Sequence, residues 1–279
     1  MPKIAVLQMT SGIDPEANLS TIRSAVKDAA DEGAHILFAP EMAALLDRDR
    51  KRAGVHLGAR YYGGVLRSLA SAAQNCKIDI ALGSLPMPAS ETHNSNRACY
   101  FSRTSGDQRD VTTYDKIHMF DVELATGESW SESNVYKPGD KVVAVENTPL
   151  GRLGLTICYD LRFPALFEEL GRRRCDAIAV PAAFTKPTGA AHWHVLLRAR
   201  AIEASAFVIA AAQVGSHEDG RETYGHSLVV DPWGEVLLDM GGEEPGLGFC
   251  DIDLNRIEEV RSQIPSLANK RDIPKYEAS

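Results

Sequence analysis

The feature that most constrains this chain is the recurrence of short, almost unbroken apolar runs: KIAVLQM, HILFAP, IDIALGS, RACYFSR, KVVAVEN, GRLGLTIC, DAIAVPA, FVIAAAQV, HSLVVDP, GEVLLDM and LGFCDID. Val/Ile-rich runs of this length that lack a clean polar–apolar alternation belong to strands covered on both faces. Helical patterns lie between them. Asp14 is placed to cap a first helix and Pro15 to open it, Leu19, Ile22, Val26 and Ala29 follow at helical spacing, and Gly33 stops it. A second helix is predicted through Leu66, Leu69, Ala70 and Ala73, and a third after Pro164 through Leu166, Phe167 and Leu170. A fourth carries Trp193, Leu196, Leu197, Ala201 and Ala204 on one face. Asp231-Pro232-Trp233-Gly234 is a hairpin turn signal. With no linker, repeat or low-complexity tract, residues 1–279 read as one α/β domain. Its longest irregular stretch, about residues 119–139, has the length of a functional loop.

Charge and cysteine usage narrow the class. The formal net charge of -8 disfavours a nucleic-acid or anionic-membrane partner, although a local arginine pocket can still receive a small anion. No segment reaches the ~18 uninterrupted apolar residues of a membrane helix, and the N-terminus reads as a first strand rather than a signal peptide. Five scattered cysteines (Cys76, Cys99, Cys158, Cys175 and Cys250), none in a C-x-x-C pair, predict reduced thiols in a cytoplasmic protein with no metal site.

Few residues are set up for chemistry. Cys158 closes the run GRLGLTIC and is followed by Tyr-Asp-Leu-Arg-Phe-Pro and a helix. There it is either a nucleophile whose thiol pKa the helix lowers, or a buried structural cysteine. His192 and His194 lie two apart on one helix, share no face and make a poor metal pair, and His118 and His226 read as structural histidines. Glu41 follows HILFAP, where partial desolvation would suit it as a base. Lys116 sits in the strand-like TTYDKIHM and calls for a carboxylate partner. An ordinary salt bridge would satisfy both.

Taken together, LFAPEM, YDKIHMF and GLTICYDLRFP, in this order and spacing, resemble the carbon–nitrogen hydrolase (nitrilase) superfamily, from KIAVLQM to the closing DIDL. The resemblance implies a four-layer α-β-β-α sandwich of the nitrilase type that pairs as a homodimer or larger homo-oligomer, through the helix after Cys158 and the helix around Leu196. It implies Cys158 as nucleophile, Glu41 as general base and Lys116 with the Tyr159 N–H as oxyanion donors, with no cofactor. It also implies an auxiliary glutamate beside a Pro-Gly, matched by Glu132 in SESNVYKPGD better than by Glu123 or Glu128, and a substrate carboxylate bound by Arg162, whose alternatives are pairing with Asp160 or helix capping. Tyr-Asp after the cysteine is similar to the amidase branches, and the stretch from AAFTKPTG to VVDPWG looks like their Nit members, except that His194 stands where those carry glutamate. The implied substrate is a small ω-carboxamide, deaminated-glutathione-like or an α-keto acid amide. An N-carbamoyl amino-acid hydrolase, a nitrilase, a glutaminase-type domain and a non-catalytic binding scaffold are the alternatives.

Overall fold

The computed structural model describes residues 1–105, 107, 110–123, 127 and 129–275. Two six-stranded sheets dominate it. The first is built from β1 (Lys3–Gln8), β2 (Ile36–Phe38), β3 (Asp79–Pro88), β4 (Asn94–Phe101), β5 (Thr112–Asp115) and β16 (Gly246–Asp251), in the order β16-β1-β2-β3-β4-β5. The second is built from β8 (Val143–Thr148), β9 (Gly151–Leu155), β10 (Ala177–Ala179), β11 (Phe207–Ala210), β14 (Leu228–Val230) and β15 (Val236–Asp239), in the order β15-β14-β11-β10-β9-β8. Each has three parallel strands at its centre, β1-β2-β3 and β9-β10-β11, flanked by antiparallel ones.

Parallel neighbours need a crossover, and helices supply them. α1 (Pro15–Asp31) joins β1 to β2, and α2 (Arg50–His56) with α3 (Ala59–Cys76) joins β2 to β3. α4 (Pro164–Arg172) and α5 (Lys186–Ala204) do the same in the second sheet. The α1 start is as expected: the Asp14 carboxylate accepts from the Glu16 and Ala17 N–H groups, and Leu19, Ile22, Val26 and Ala29 are buried. Alternation along the strands separates the layers. Ala5, Leu7, Leu37, Ile80, Leu82, Cys99 and Phe101 pack on α1 and α3. Ile4, Val6, Ile36, Phe38, Ala81, Ala98 and Tyr100 face the second sheet, whose outer side is covered by α4 and α5. Both faces of the central strands are covered, which explains their near-continuous apolarity.

The turn between β14 and β15 forms at Asp231–Gly234, with Asp231 Oδ1 accepting from the Trp233 and Glu235 N–H groups. Segment 119–139 is less irregular than predicted. It holds a two-stranded hairpin, β6 (Asp121–Glu123) with β7 (Ser129–Ser131), then a 3-10 turn at Glu132–Asn134. A second hairpin, β12 (Val214–Ser216) with β13 (Glu222–Tyr224), was equally hidden, because three-residue strands carry too little periodicity to read. The short α2, with one buried residue, and the polar α6 (Asn255–Gln263) escaped for the same reason.

The carboxyl ends of the central parallel strands come together at one end of the sandwich. Gln213 stitches them there: its amide nitrogen donates to Ser11 Oγ at 2.7 Å and to the Glu41 carbonyl at 2.9 Å, while its Oε1 accepts from the Ser11 N–H. The chain leaving β2 lies directly on Gly83, where a Cβ would stand 2.2 Å from the Ala39 carbonyl oxygen and 2.3 Å from that of Pro40. Both neighbours are backbone and cannot swing aside. Gly83→Ala should therefore lower stability by about 1–3 kcal/mol in urea unfolding.

Candidate active site

Glu41, Lys116 and Cys158 come from three separate segments and meet at that end of the sandwich. Glu41 lies three residues past β2 and is 5% exposed. Its Oε1 accepts from Lys116 Nζ at 3.0 Å and from Asn96 Nδ2 at 2.9 Å, and its Oε2 from the Ala183 N–H at 2.9 Å. The next residue, Met42, takes a positive φ of 55° and donates its N–H to Ser84 Oγ. Lys116 follows β5 directly and is 2% exposed. Besides Glu41 its ammonium contacts both carboxylate oxygens of Glu132, at 3.0 and 2.8 Å. Glu132 Oε2 also accepts from the Phe120 N–H at 2.6 Å. The auxiliary glutamate expected from the sequence is thus in contact with the lysine. Glu123 lies on the exposed β6, and Glu128 lies outside the described residues.

Cys158 is placed differently from the expectation. β9 stops at Leu155, and Cys158 opens a 3-10 turn, Cys158–Arg162, with a φ of +47°. Its N–H donates to the Pro181 carbonyl at 2.8 Å, and its thiol lies beside the Glu41 carboxylate. The expected lowering of the thiol pKa is reversed. Burial and then the Glu41 charge push it well above the ordinary thiol range, against the smaller opposing pull of Lys116. Burial alone would depress the Lys116 ammonium, but Glu132 and Glu41 outweigh it and hold the group well above the usual lysine range. The resting pattern is a neutral thiol beside a charged ammonium. That ammonium fills the place between the two carboxylates that a metal ion would need.

Asn96, which the sequence left unassigned, and Asp160, which it offered only as a partner for Arg162, hold this arrangement. The Asn96 amide donates to Glu41 Oε1 and, at 3.2 Å, to Glu132 Oε1, spacing two carboxylates that would otherwise repel. The polar start Asn-Ser-Asn on a strand that continues apolar was its only sequence signal. Asp160, fully buried, fastens the lysine segment to the cysteine turn. Its Oδ2 accepts from Tyr114 OH and the Ile157 N–H, and its Oδ1 from the His118 N–H at 3.1 Å, with His118 Nδ1 2.7 Å away. Tyr114, Lys116 and His118 alternate in sequence, so the two outer members anchor while the middle one reaches the site. Asp160 is therefore not the partner of Arg162.

A cavity of about 620 Å³ opens over the cluster, with Glu41, Lys116, Glu132 and Cys158 in its wall beside Tyr159, Phe120, Trp130, Tyr136 and Phe184. Arg162 is not part of that wall. Its guanidinium packs on the Tyr159 and Phe184 rings, at 5.8 and 5.3 Å, with Nη1 3.3 Å from His192 Nδ1. The arginines that do line the cavity are Arg48, Arg50 and Arg221. Arg221 is committed to Asp219 and the Trp130 face. Arg48 and Arg50 are exposed, and among the described residues neither makes an ion pair. No helix is long and apolar enough to cross a membrane among the described residues.

A family model described as carbon-nitrogen hydrolase matches residues 3–262. The chain belongs to the carbon–nitrogen hydrolase family. Among curated relatives it is 37% identical to the deaminated glutathione amidase of Homo sapiens over 273 residues, 97% of this chain and 83% of that one. It is 37% identical to that of a Synechocystis strain over 268 residues, 95% of this chain and 97% of the other. Among solved structures it is similar to the C. elegans NitFhit protein, with a TM-score of 0.86 and 34% identity, covering 97% of this chain but 65% of NitFhit. It is also similar to Saccharomyces cerevisiae Nit3, a member of the nitrilase superfamily, with a TM-score of 0.82 and 27% identity, covering 95% of this chain and 94% of that one. The α-β-β-α sandwich expected from the sequence is this family's fold, and the chain is a hydrolase of carbon–nitrogen bonds in amides.

The raised thiol makes a stability prediction. The fold favours the protonated form of Cys158, so this contribution is complete below the ordinary thiol value of 9.0 and is lost as pH rises towards the higher folded value. Relative to Cys158→Ala, the wild type should lose up to about 1.4 kcal/mol per pH unit above that point. Paired denaturation curves from neutral to strongly alkaline pH check this, and a constant difference would show a thiol not perturbed by the fold.

Proposed function

We propose that this hydrolase is an amidase in which Cys158 attacks the carboxamide carbon of a small, acid-bearing ω-amide, of the deaminated-glutathione type ahead of α-keto acid amides. The observation that carries the reading is the Glu41 carboxylate, which holds the Lys116 ammonium at 3.0 Å and shares the cavity wall with the Cys158 thiol beside it. A thiol held neutral needs a base at the moment of attack, and Glu41 is placed to be that base. As the S–C bond forms, the thiol proton passes to Glu41 and the carbonyl π pair moves onto oxygen. Lys116 Nζ and the Tyr159 N–H stabilise that oxyanion. Glu41 then returns the proton to the departing nitrogen, the C–N bond breaks, and ammonia leaves a thioester. Water, deprotonated by Glu41, attacks the thioester; the acid is released and the thiol regains its proton. Glu132 and Asn96 keep the ammonium and the base in register.

Cys158→Ala should abolish ammonia release with native circular dichroism retained. Glu41→Gln and Lys116→Ala should each reduce kcat by several orders of magnitude, and the double variant should lose little more, because the residues act as a unit. Additive losses would mean that they serve separate steps.

Charge at the cavity mouth supports the acid-bearing substrate. With Arg162 engaged elsewhere, Arg48 and Arg50 are the cations open to a carboxylate. Arg48→Gln or Arg50→Gln should raise KM for an acid-terminated amide about tenfold or more, with little change for a neutral amide of equal size. Arg162→Gln should affect both substrates alike. The same apparent loss on both amides for Arg48 and Arg50 would remove the acid group from the proposal and leave the mechanism standing.

Assembly as a homodimer remains part of this reading. Ile202 on α5 is exposed and abuts the β14–β15 turn, where Trp233 is also exposed, and Val195 and Leu237 add to the uncovered apolar surface.

A further inference from the structure

His194, which the catalytic cluster does not use, does not meet its sequence neighbour His192. It meets His226 and Asp239 instead. His194 comes from α5, His226 from the segment just before β14, and Asp239 from the end of β15. The Asp239 carboxylate receives one histidine on each oxygen: His194 Nε2 lies 3.0 Å from Oδ2 and His226 Nδ1 lies 2.9 Å from Oδ1. The three ligand atoms all fall within 4.8 Å of one another.

We propose that His194, His226 and Asp239 form a binding site for one first-row divalent transition-metal ion, zinc foremost, separate from the catalytic cavity and independent of the amidase reading. Zinc bonds to nitrogen and oxygen are about 2.0–2.2 Å long, so neighbouring ligand atoms in a tetrahedral site stand about 3.3–3.5 Å apart. The two carboxylate oxygens of Asp239 stand 3.0 and 2.9 Å from one imidazole nitrogen each, slightly under that spacing, and the other ligand-atom separations, all within 4.8 Å, close to reach it. Two imidazoles and a carboxylate are a zinc donor set. All three side chains are about a quarter to a third exposed, at 34%, 25% and 35%, which leaves room for water as the fourth ligand.

The supports are rigid. The buried Trp193 donates its indole N–H to the His226 carbonyl, and the His226 N–H donates to the Gly241 carbonyl at 2.7 Å. Asp239 Oδ1 also accepts from the Gly241 N–H. The Tyr224 ring stacks on His226 at 4.5 Å and meets His194 edge-on at 6.1 Å. A bound ion would replace the two hydrogen-bonded protons with two coordinate bonds. Each neutral ring would carry its remaining proton on the other nitrogen, and the ion would clasp α5 to the β14–β15 hairpin. Such an ion is structural, and its removal leaves the Glu41–Lys116–Cys158 chemistry in place.

The test titrates zinc chloride into chelator-stripped full-length protein, followed by calorimetry and thermal unfolding, in the wild type and in Cys158→Ala so that the catalytic thiol is removed as a rival ligand. One equivalent should bind in both and raise Tm. His194→Gln keeps a donor to Asp239 but loses the ligand, and it should weaken binding on the order of 100-fold, as should His226→Gln and Asp239→Asn. Retained amide hydrolysis by the zinc-free variants establishes that they fold. Cobalt at the site should give d–d bands without a thiolate charge-transfer band. Absence of saturable binding in the wild type overturns the proposal, and so does undiminished one-equivalent binding in the three variants, which would place the ion elsewhere.

Discussion

The Lys116 ammonium, 2% exposed and held between two carboxylates, is the constraint around which this end of the molecule is organised. Burying a charge costs several kcal/mol unless its partners are fixed in place. Two acids against one lysine leave the cluster with a surplus negative charge. The surplus is spread over fixed dipoles: the Ala183 N–H on Glu41, the Phe120 N–H on Glu132, and the Asn96 amide on both. Burial, and after it the Glu41 charge, keeps Cys158 protonated, so the carboxylate that holds the lysine also holds the proton on the thiol. Removing any partner leaves another buried and unpaired, which makes substitutions here costly for stability as well as for chemistry.

The fold supplies the fixed positions. Each sheet ends its central parallel strands at the same rim, where open α/β sheets commonly present ligand sites. Glu41 leaves from the first sheet, and Cys158 and Ala183 from the second. Gln213 and Asp160 then cross-link these segments by hydrogen bonds rather than by packing. Such bonds are directional, and they set the angles at which Glu41, Lys116 and Cys158 face one another. The apolar layers set only how far apart the sheets lie.

Much of this was legible beforehand because it rests on local pattern. The capped start of α1, the near-continuous strands and the β14–β15 turn are each specified within a dozen residues. Glu41, Lys116, Cys158 and Glu132 carry flanking motifs that mark them. What escaped depends on contacts distant in sequence. Asn96 and Asp160 look like ordinary polar residues until the strands beside them are in place. The thiol's shift was misjudged because a nearby helix was visible in the sequence, whereas the burial and the facing glutamate were not. Arg162, four residues after Cys158, ends a 3-10 turn with its guanidinium on the Tyr159 and Phe184 rings, a placement that needs the folded turn and the distant Phe184 to be seen.

The hydrogen bond between the Ala183 N–H and Glu41 joins groups 142 residues apart, and Asn96, Lys116 and Cys158 lie between them in the chain. A site assembled from contacts of such sequence separation is absent from every partly folded state in which either sheet is missing. Loop closure must be completed across both halves before the lysine finds its carboxylates. During synthesis the N-terminal half emerges with Glu41, Lys116 and Glu132 in hand but without Cys158, so the cluster is incomplete until the second sheet docks. Completion of the cluster is thus a late event in folding, and its appearance in a refolding experiment reports docking of the two sheets rather than formation of either one.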